Sequence, residues 1–362
     1  MLTAGFSSPN GRAFLMPLIL HRQALEDAGL SVRLFDRPAS ALTDCDALLL
    51  DGKHFSPRWA AQSEAALEEI AGYGEKVRNL IYVDLLDSAG WDHARALPHV
   101  TLYCKPQLLR DRSAYLRPLY GYRAYADYYH KEMGVDDEPP VWSEPAADVG
   151  HLDKLTVAWN SALADYSWLG PMRMAAYGHV PIGPLLRFPG AFHPPSAERP
   201  IEVSCRIGTD YVRESVRFQR KRMAAILAGR MQTGKLSRRD YLAELSRSKI
   251  VVSPFGYGEI TLRDFEILMS GAVMLKPDMS GLETWPDLYR DGETMVAHRW
   301  DLSDVDEKIE KILSDHSSHL AIAAQGQDAY RRHLCGEDAG ALFAQHLSGI
   351  IAKGDRMAAR SQ

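Results

Sequence analysis

The segment VVSPFGYGEITLRDFEILMSGAVMLKPD, residues 251 to 278, narrows the choice of fold more than any other stretch of this chain. An apolar run ends at Pro254, a glycine turn and an amphipathic stretch follow, and a second apolar run begins after Gly271. Two strands joined through one helix pair in parallel, and the crossover is right-handed.

The same alternation recurs on both sides. In the first half LTAGFS, SVRLFD, CDALLLD, NLIYVDLLD and HVTLYCK have the apolar, bounded pattern of strands. RAFLMPLILHRQALEDAG and PRWAAQSEAALEEIAGYG have the pattern of helices. In the second half IEVSCRIG and KIVVSPFG are expected strands, SVRFQRKRMAAILAG is an expected helix, and SRRDYLAELSRS is a helix capped by Ser237. Helices also close the chain, from DVDEKIEKILSD to AGALFAQHLSGIIAKG.

At 362 residues the chain exceeds what one core usually supports. The proline-bearing run RFPGAFHPPSAERP, 187 to 200, is the natural crossing point. The expected architecture is therefore α/β: two Rossmann-like domains facing a cleft, with a first domain over 1–190, a second over 200–335, and a C-terminal helix and tail over 336–362. Tyrosines crowd YLRPLYGYRAYADYY, either to stack on sugar rings or, more in keeping with such spacing, to fill the core.

A formal charge of -5 gives no electrostatic case for general nucleic-acid binding, so no nucleic-acid partner is expected. The four cysteines contain no Cys-x-x-Cys pair, which favours a reducing, cytoplasmic setting. FLMPLIL is far too short to span a bilayer, leaving at most a peripheral contact with a membrane.

Ligands of open parallel sheets sit beyond the carboxyl ends of the strands. There the turn FGYGEI leads into a helix expected to begin near Thr261, whose first amides favour anions. Arg263 adds a planar cation suited to phosphate, and Glu266 lies three residues on, on the same face, where a carboxylate can grip ribose hydroxyls. Gly256, Tyr257, Gly258 and Glu259 line the turn. Arg206 and Gly208, at the end of CRIG, offer a second arm to the same ligand. Arg213, Arg217 and Arg220 fit a solvated basic helix as well as a site.

The residues Tyr241, Leu245, Ser248, Pro254, Gly256, Gly258, Thr261, Arg263, Glu266 and Gly271 resemble the donor-binding domain of GT-B glycosyltransferases, most closely exostosin-like and family-1-like enzymes. That resemblance implies a nucleotide-sugar donor, with Arg263 on the diphosphate and Glu266 on the ribose. Many retaining members carry two glutamates with seven residues between them. Glu259 and Glu266 have six between, so the resemblance assigns Glu259 no role and leaves the stereochemical outcome open.

Transfer to a hydroxyl needs a base, and the first domain's strand ends supply the candidates: Asp51 or His54 after one strand, Asp84 or Asp87 after the next. Aspartate at a strand end also caps turns. His151, His179 and His193 lack metal-ligand spacing, so neither a metal nor a separate cofactor is expected. The expected activity is metal-independent transfer of a sugar to a hydroxyl of a glycan or glycoconjugate. A catalytically silent nucleotide-sugar-binding protein and a transferase or epimerase of another group on the same fold stay open.

Overall fold

The computed structural model describes residues 1–59, 61–91, 93–230 and 234–360. In chain order the first half contains α1 (Pro9–Leu20), α2 (Arg22–Asp27), β1 (Ala47–Asp51), α3 (Gly52–Trp59), α4 (Ser63–Gly74), β2 (Asn79–Val83), β3 (Leu102–Lys105), β4 (Gln107–Leu109), α5 (Ala124–Met133), β5 (Leu155–Val157) and α6 (Gly170–Tyr177). The second half contains β6 (Ile201–Ser204), α7 (Glu214–Ile226), α8 (Arg238–Ser246), β7 (Ser248–Val252), α9 (Leu262–Ser270), β8 (Val273–Pro277), β9 (Leu282–Thr284), β10 (Val296–His298), α10 (Val305–Ser314), α11 (His316–Cys335) and α12 (Ala339–Arg360).

Two parallel sheets result, ordered β1-β2-β3-β5 and β10-β8-β7-β6. Every residue of β2 and β8 is buried, as expected of strands covered by helices on both faces. The short antiparallel pair β4–β9 stitches one half to the other.

Two expected strands shrink to single parallel bridges, Leu2 with Phe35 and Leu2 with Leu50. Their backbones still follow the sheet edge, with Leu2 N donating to Leu49 O and Thr3 N to Phe35 O, both at 2.9 Å. Residues 31 to 34 are largely exposed and offer no apolar face to extend the ladder. The single helix expected over 12 to 29 is two helices, because His21 leaves helical geometry (φ -98, ψ 21).

Two helices pack on the half they do not belong to in sequence. Helix α12 returns to the first sheet, where Phe343, Ala344, Leu347 and Ile350 join Ile81, Val83 and Leu102 in one core. Asn79 Nδ2 holds it by donating to Ile351 O at 3.0 Å and Asp355 Oδ1 at 2.9 Å. A Cβ at Gly354 would lie 2.1 Å from Asn79 Oδ1, so only glycine lets the helix settle there. Conversely, α5 leans on the second half: Tyr125 OH donates to Gly256 O at 2.7 Å, and Tyr129 OH to Trp300 O at 2.8 Å. Tyr115, Tyr120, Tyr125 and Tyr129 are all fully buried, so this tyrosine-rich stretch is core.

Candidate active site

Helix α9 starts where it does because Thr261 and Asp264 form a capping box. Thr261 N donates to Asp264 Oδ2 at 2.9 Å, and the same carboxylate accepts from Tyr289 OH at 3.0 Å and Lys276 Nζ at 3.1 Å. Lys276 and Asp264 are both fully buried. Burial pulls the Lys276 ammonium below its usual range, and the Asp264 charge offsets part of that. This network anchors the helix start to β8 and leaves the turn above it open.

That turn forms one wall of a cleft of about 390 Å³ between the halves. Gly256, Tyr257, Gly258, Thr261 and Leu262 line it from the second half, together with Tyr211 and Arg220. The first half contributes Asn10, the loop Leu85–Asp87 after β2, Gln107, and Asn160 after β5. Across the cleft the backbones touch. A Cβ at Gly258 would lie 1.7 Å from Asp87 O, so the close approach requires glycine.

Of the four candidate bases, only Asp87 lines this cleft. It is exposed, and its Oδ1 accepts from Asn10 Nδ2. Asp51 is buried and spends its carboxylate on Thr3 Oγ1 (2.9 Å), Ala4 N (3.1 Å) and Lys53 N (2.8 Å). Burial raises its pKa despite those donors. Asp84 is fully buried against Lys105 Nζ at 2.6 Å and Tyr103 OH at 2.8 Å. Burial alone would push this carboxyl up, but the Lys105 and His93 charges and the hydrogen bonds together hold it below its usual value. His54 stands edge-on to Phe55, outside the residues lining the cleft.

The expected donor residues divide in the same way. Glu259, wholly buried, reaches across to accept from Ser88 Oγ at 2.7 Å and Ala89 N at 2.8 Å. It is a strut between the halves, because both oxygens already have donors from the opposite domain. Arg206 pairs with Glu244 at 2.6 Å, and its carbonyl accepts from Arg263 Nη2. Glu266 pairs with Arg238 at 2.8 Å, and burial raises its pKa. Burial raises the Tyr241 hydroxyl's pKa, with the Arg263 and Glu266 charges acting on it in opposite directions. Arg206, Arg263 and Glu266 are thus held by neighbouring groups outside the residues that line the cleft, Glu266 lining a second cavity instead, while Gly208 contributes a carbonyl to Arg220 Nη1 at 3.3 Å.

Arg220 is the cleft cation that sequence reasoning did not separate from its neighbours. Its buried guanidinium donates from Nε to Phe255 O at 3.1 Å and lies 4.6 Å above the Tyr211 ring. Among the described residues no carboxylate pairs with it. Burial lowers its pKa from a very high starting point, so it stays charged at neutral pH. The only signal was its buried position in the helical period of SVRFQRKR.

Residues 199–344 match the family described as glycosyl transferase-like. The matched span is less than half of the chain. It holds the whole second sheet, the glycine turn, Arg206, Arg220, Arg263 and Glu266. No curated protein matches the chain in sequence.

Among solved structures, the chain is similar to HepE from Anabaena in complex with UDP-glucose, at 11% identity over 94% of this chain and 97% of that one, with a TM-score of 0.42. It is also similar to an alpha-glucosyltransferase in complex with UDP, at 10% identity over 97% and 98% of the two chains, with a TM-score of 0.44. A further similar structure is an alpha-glucosyltransferase with UDP-glucose and DNA containing an abasic site, at 10% identity over 92% and 84%, TM-score 0.39. Among the described residues no group of three His, Cys, Asp or Glu side chains could hold a metal ion.

Proposed function

We propose that the protein transfers a sugar from a nucleotide-sugar donor to a hydroxyl of a glycan or glycoconjugate acceptor, in a reducing, cytoplasmic setting. The observation that carries this reading is Arg220: a buried guanidinium with no carboxylate partner among the described residues, beside a glycine turn and a helix start, facing Asp87 across the cleft. An unpaired buried cation is costly, and an anionic ligand repays that cost. Arg220 and the first amides of α9 hold the donor diphosphate, with Arg263 behind them. Tyr241 and Glu266 offer ribose contacts once Glu266 exchanges Arg238 for hydroxyl donors.

In the transfer, the bond between the anomeric carbon and the diphosphate oxygen breaks, and a bond to the acceptor oxygen forms. Asp87 takes the acceptor proton, and the electron pair leaves on the nucleoside diphosphate. Arg220 and the helix start meet the charge that grows there, the role a metal plays elsewhere, and turnover is expected to survive EDTA. The sugar takes the space of the cleft beside the glycine turn.

Calorimetric titration of nucleoside diphosphates and their sugars tests the reading. A donor should bind to the wild type and bind at least tenfold more weakly to Arg220→Ala. If no nucleotide or nucleotide sugar binds, the reading fails.

One observation favours a silent binding protein as the second reading: Asp87, the only candidate base on the cleft, already accepts from Asn10. Donor binding by the wild type without turnover in any acceptor mixture would favour it.

A further inference from the structure

A second cavity, of about 710 Å³, opens away from the cleft between residues 167–173, the linker 187–193 and the helices α8 and α9. Its wall is mostly apolar, with Trp168, Leu169, Phe188, Leu242 and Met269. Two arginines stand at its edge. Arg187 and Arg239 are exposed, and neither has an ion pair or hydrogen bond among the described residues. The neighbouring cations are already spent: Arg173 on Asp165, and Arg238 on Glu266.

From Trp168 and Leu169 on this rim, through α6 and the loop after it, the chain exposes apolar side chains at a density along the sequence found nowhere else among the described residues. Trp168, Leu169, Met172, Val180 and Ile182 are between 38 and 67% exposed. Apolar groups gathered like this on a surface mark a contact with another apolar phase. A protein partner of the usual kind would meet them with complementary apolar side chains and paired charges. Two unpaired arginines beside a tryptophan fit a phosphate-bearing interface better. The guanidinium fork matches phosphate oxygens, and an indole sits well at the boundary between headgroups and chains.

We propose that this face docks the protein on a bilayer of anionic phospholipid. Trp168, Leu169 and Met172 enter the interface, and Arg187 and Arg239 take headgroup phosphates at the mouth of the cavity. The chain carries a net charge of -5, so the attraction comes from this rim and not from the molecule as a whole. Among the described residues no helix is long and apolar enough to cross a membrane, and attachment here is to the surface. Apolar insertion and charge act together, since either alone gives weak, reversible binding. The docking residues are not those of the sugar-transfer reading, and the two meet only at Glu266, which lines this cavity and is the ribose contact of that reading.

The test is sedimentation of the full chain with vesicles of phosphatidylcholine alone and of phosphatidylcholine mixed with phosphatidylglycerol, at low and high salt. The wild type should sediment with the mixed vesicles at low salt, be released by high salt, and stay in solution with phosphatidylcholine alone. The double variant Arg187→Gln/Arg239→Gln should lower the partition roughly 30-fold. Trp168→Ser/Met172→Ser should lower it as strongly, and both variants should keep the wild-type melting temperature and nucleotide binding. Failure of the wild type to sediment with anionic vesicles overturns the proposal, as does equal sedimentation with neutral ones. Binding of a soluble short-chain lipid phosphate without vesicle binding overturns it too. The salt response of the wild type decides the matter even if a variant folds poorly.

Discussion

The strand ends of the two halves face the same cleft but use their polar residues in opposite ways. In the first half the carboxylates nearest the ends of β1 and β2 turn inward, Asp51 tying the N-terminal segment to the sheet and Asp84 locked to Lys105, and Asp87 alone of the candidates stays on the cleft. In the second half the turn after β7 keeps its charge low and its backbone open, with Gly256 and Gly258 on the cleft wall and the buried Asp264 beneath. A strand-end carboxylate is thus a poor guide to a base when a lysine or backbone amides on the neighbouring strand can satisfy it. A glycine turn before a capped helix is a better guide to a site, because it brings open backbone to the cleft wall while the cap uses only part of the helix's free amides.

This contrast predicts different consequences for substitutions at the two sets of strand ends. The largest expected effect is on stability. Asp84→Ala strands a fully buried ammonium and should cost about 3–5 kcal/mol, read as a fall in the denaturation midpoint. Because the folded-state pKa of Asp84 is depressed, its contribution is fully present above the ordinary carboxylate range. It is lost as pH falls through the lower folded value. The acid limb of the wild-type stability curve should therefore be flattened in the variant, and an unchanged limb would place the pH dependence elsewhere.

Next is Arg220→Ala. Donor affinity should fall by about 1.5–3 kcal/mol, with a smaller change in melting temperature, since its hydrogen bonds run to two backbone carbonyls. Loss of stability without loss of donor affinity would erase the contrast between the halves. Glu259→Gln should cost about 1–2 kcal/mol of stability by weakening the bonds to Ser88 and Ala89, with the affinity for donor less affected. A selective loss of donor binding would instead make Glu259 a ligand contact. The smallest effect is expected from Asp51→Asn, within about 1 kcal/mol, with turnover unchanged. Burial already disfavours its charged form, and the side chain lies outside the cleft lining.

Much of the second half was legible because its signals are local. Thr261 and Asp264 are three residues apart, Gly271 ends α9 in the left-handed region at φ 67, and the flanking apolar runs are strands. The first half was less legible at its edges, where LTAGFS and SVRLFD contribute only isolated bridges at Leu2 and Phe35, and at His21, where one helical pattern divides into two helices. Arg220 could not be told from Arg213 and Arg217 by pattern. Its burial depends on Tyr211 and the turn at Phe255, which lie on other elements.

The sequence by itself determined the α/β alternation and the glycine turn that leads from β7 into α9. Those features follow from periodicity, glycine placement and capping, which act over a few residues. Only the tertiary structure decided which charges are free. Glu259 became a strut because Ser88 and Ala89, 171 and 170 residues away in sequence, meet it. Asp84 became a core ion pair through a neighbouring strand, α12 joined the first sheet through Asn79, and α5 joined the second half through Tyr125 and Tyr129. A charged side chain's role is set by the partner it finds when water is removed, and that partner is fixed by packing between segments distant in sequence.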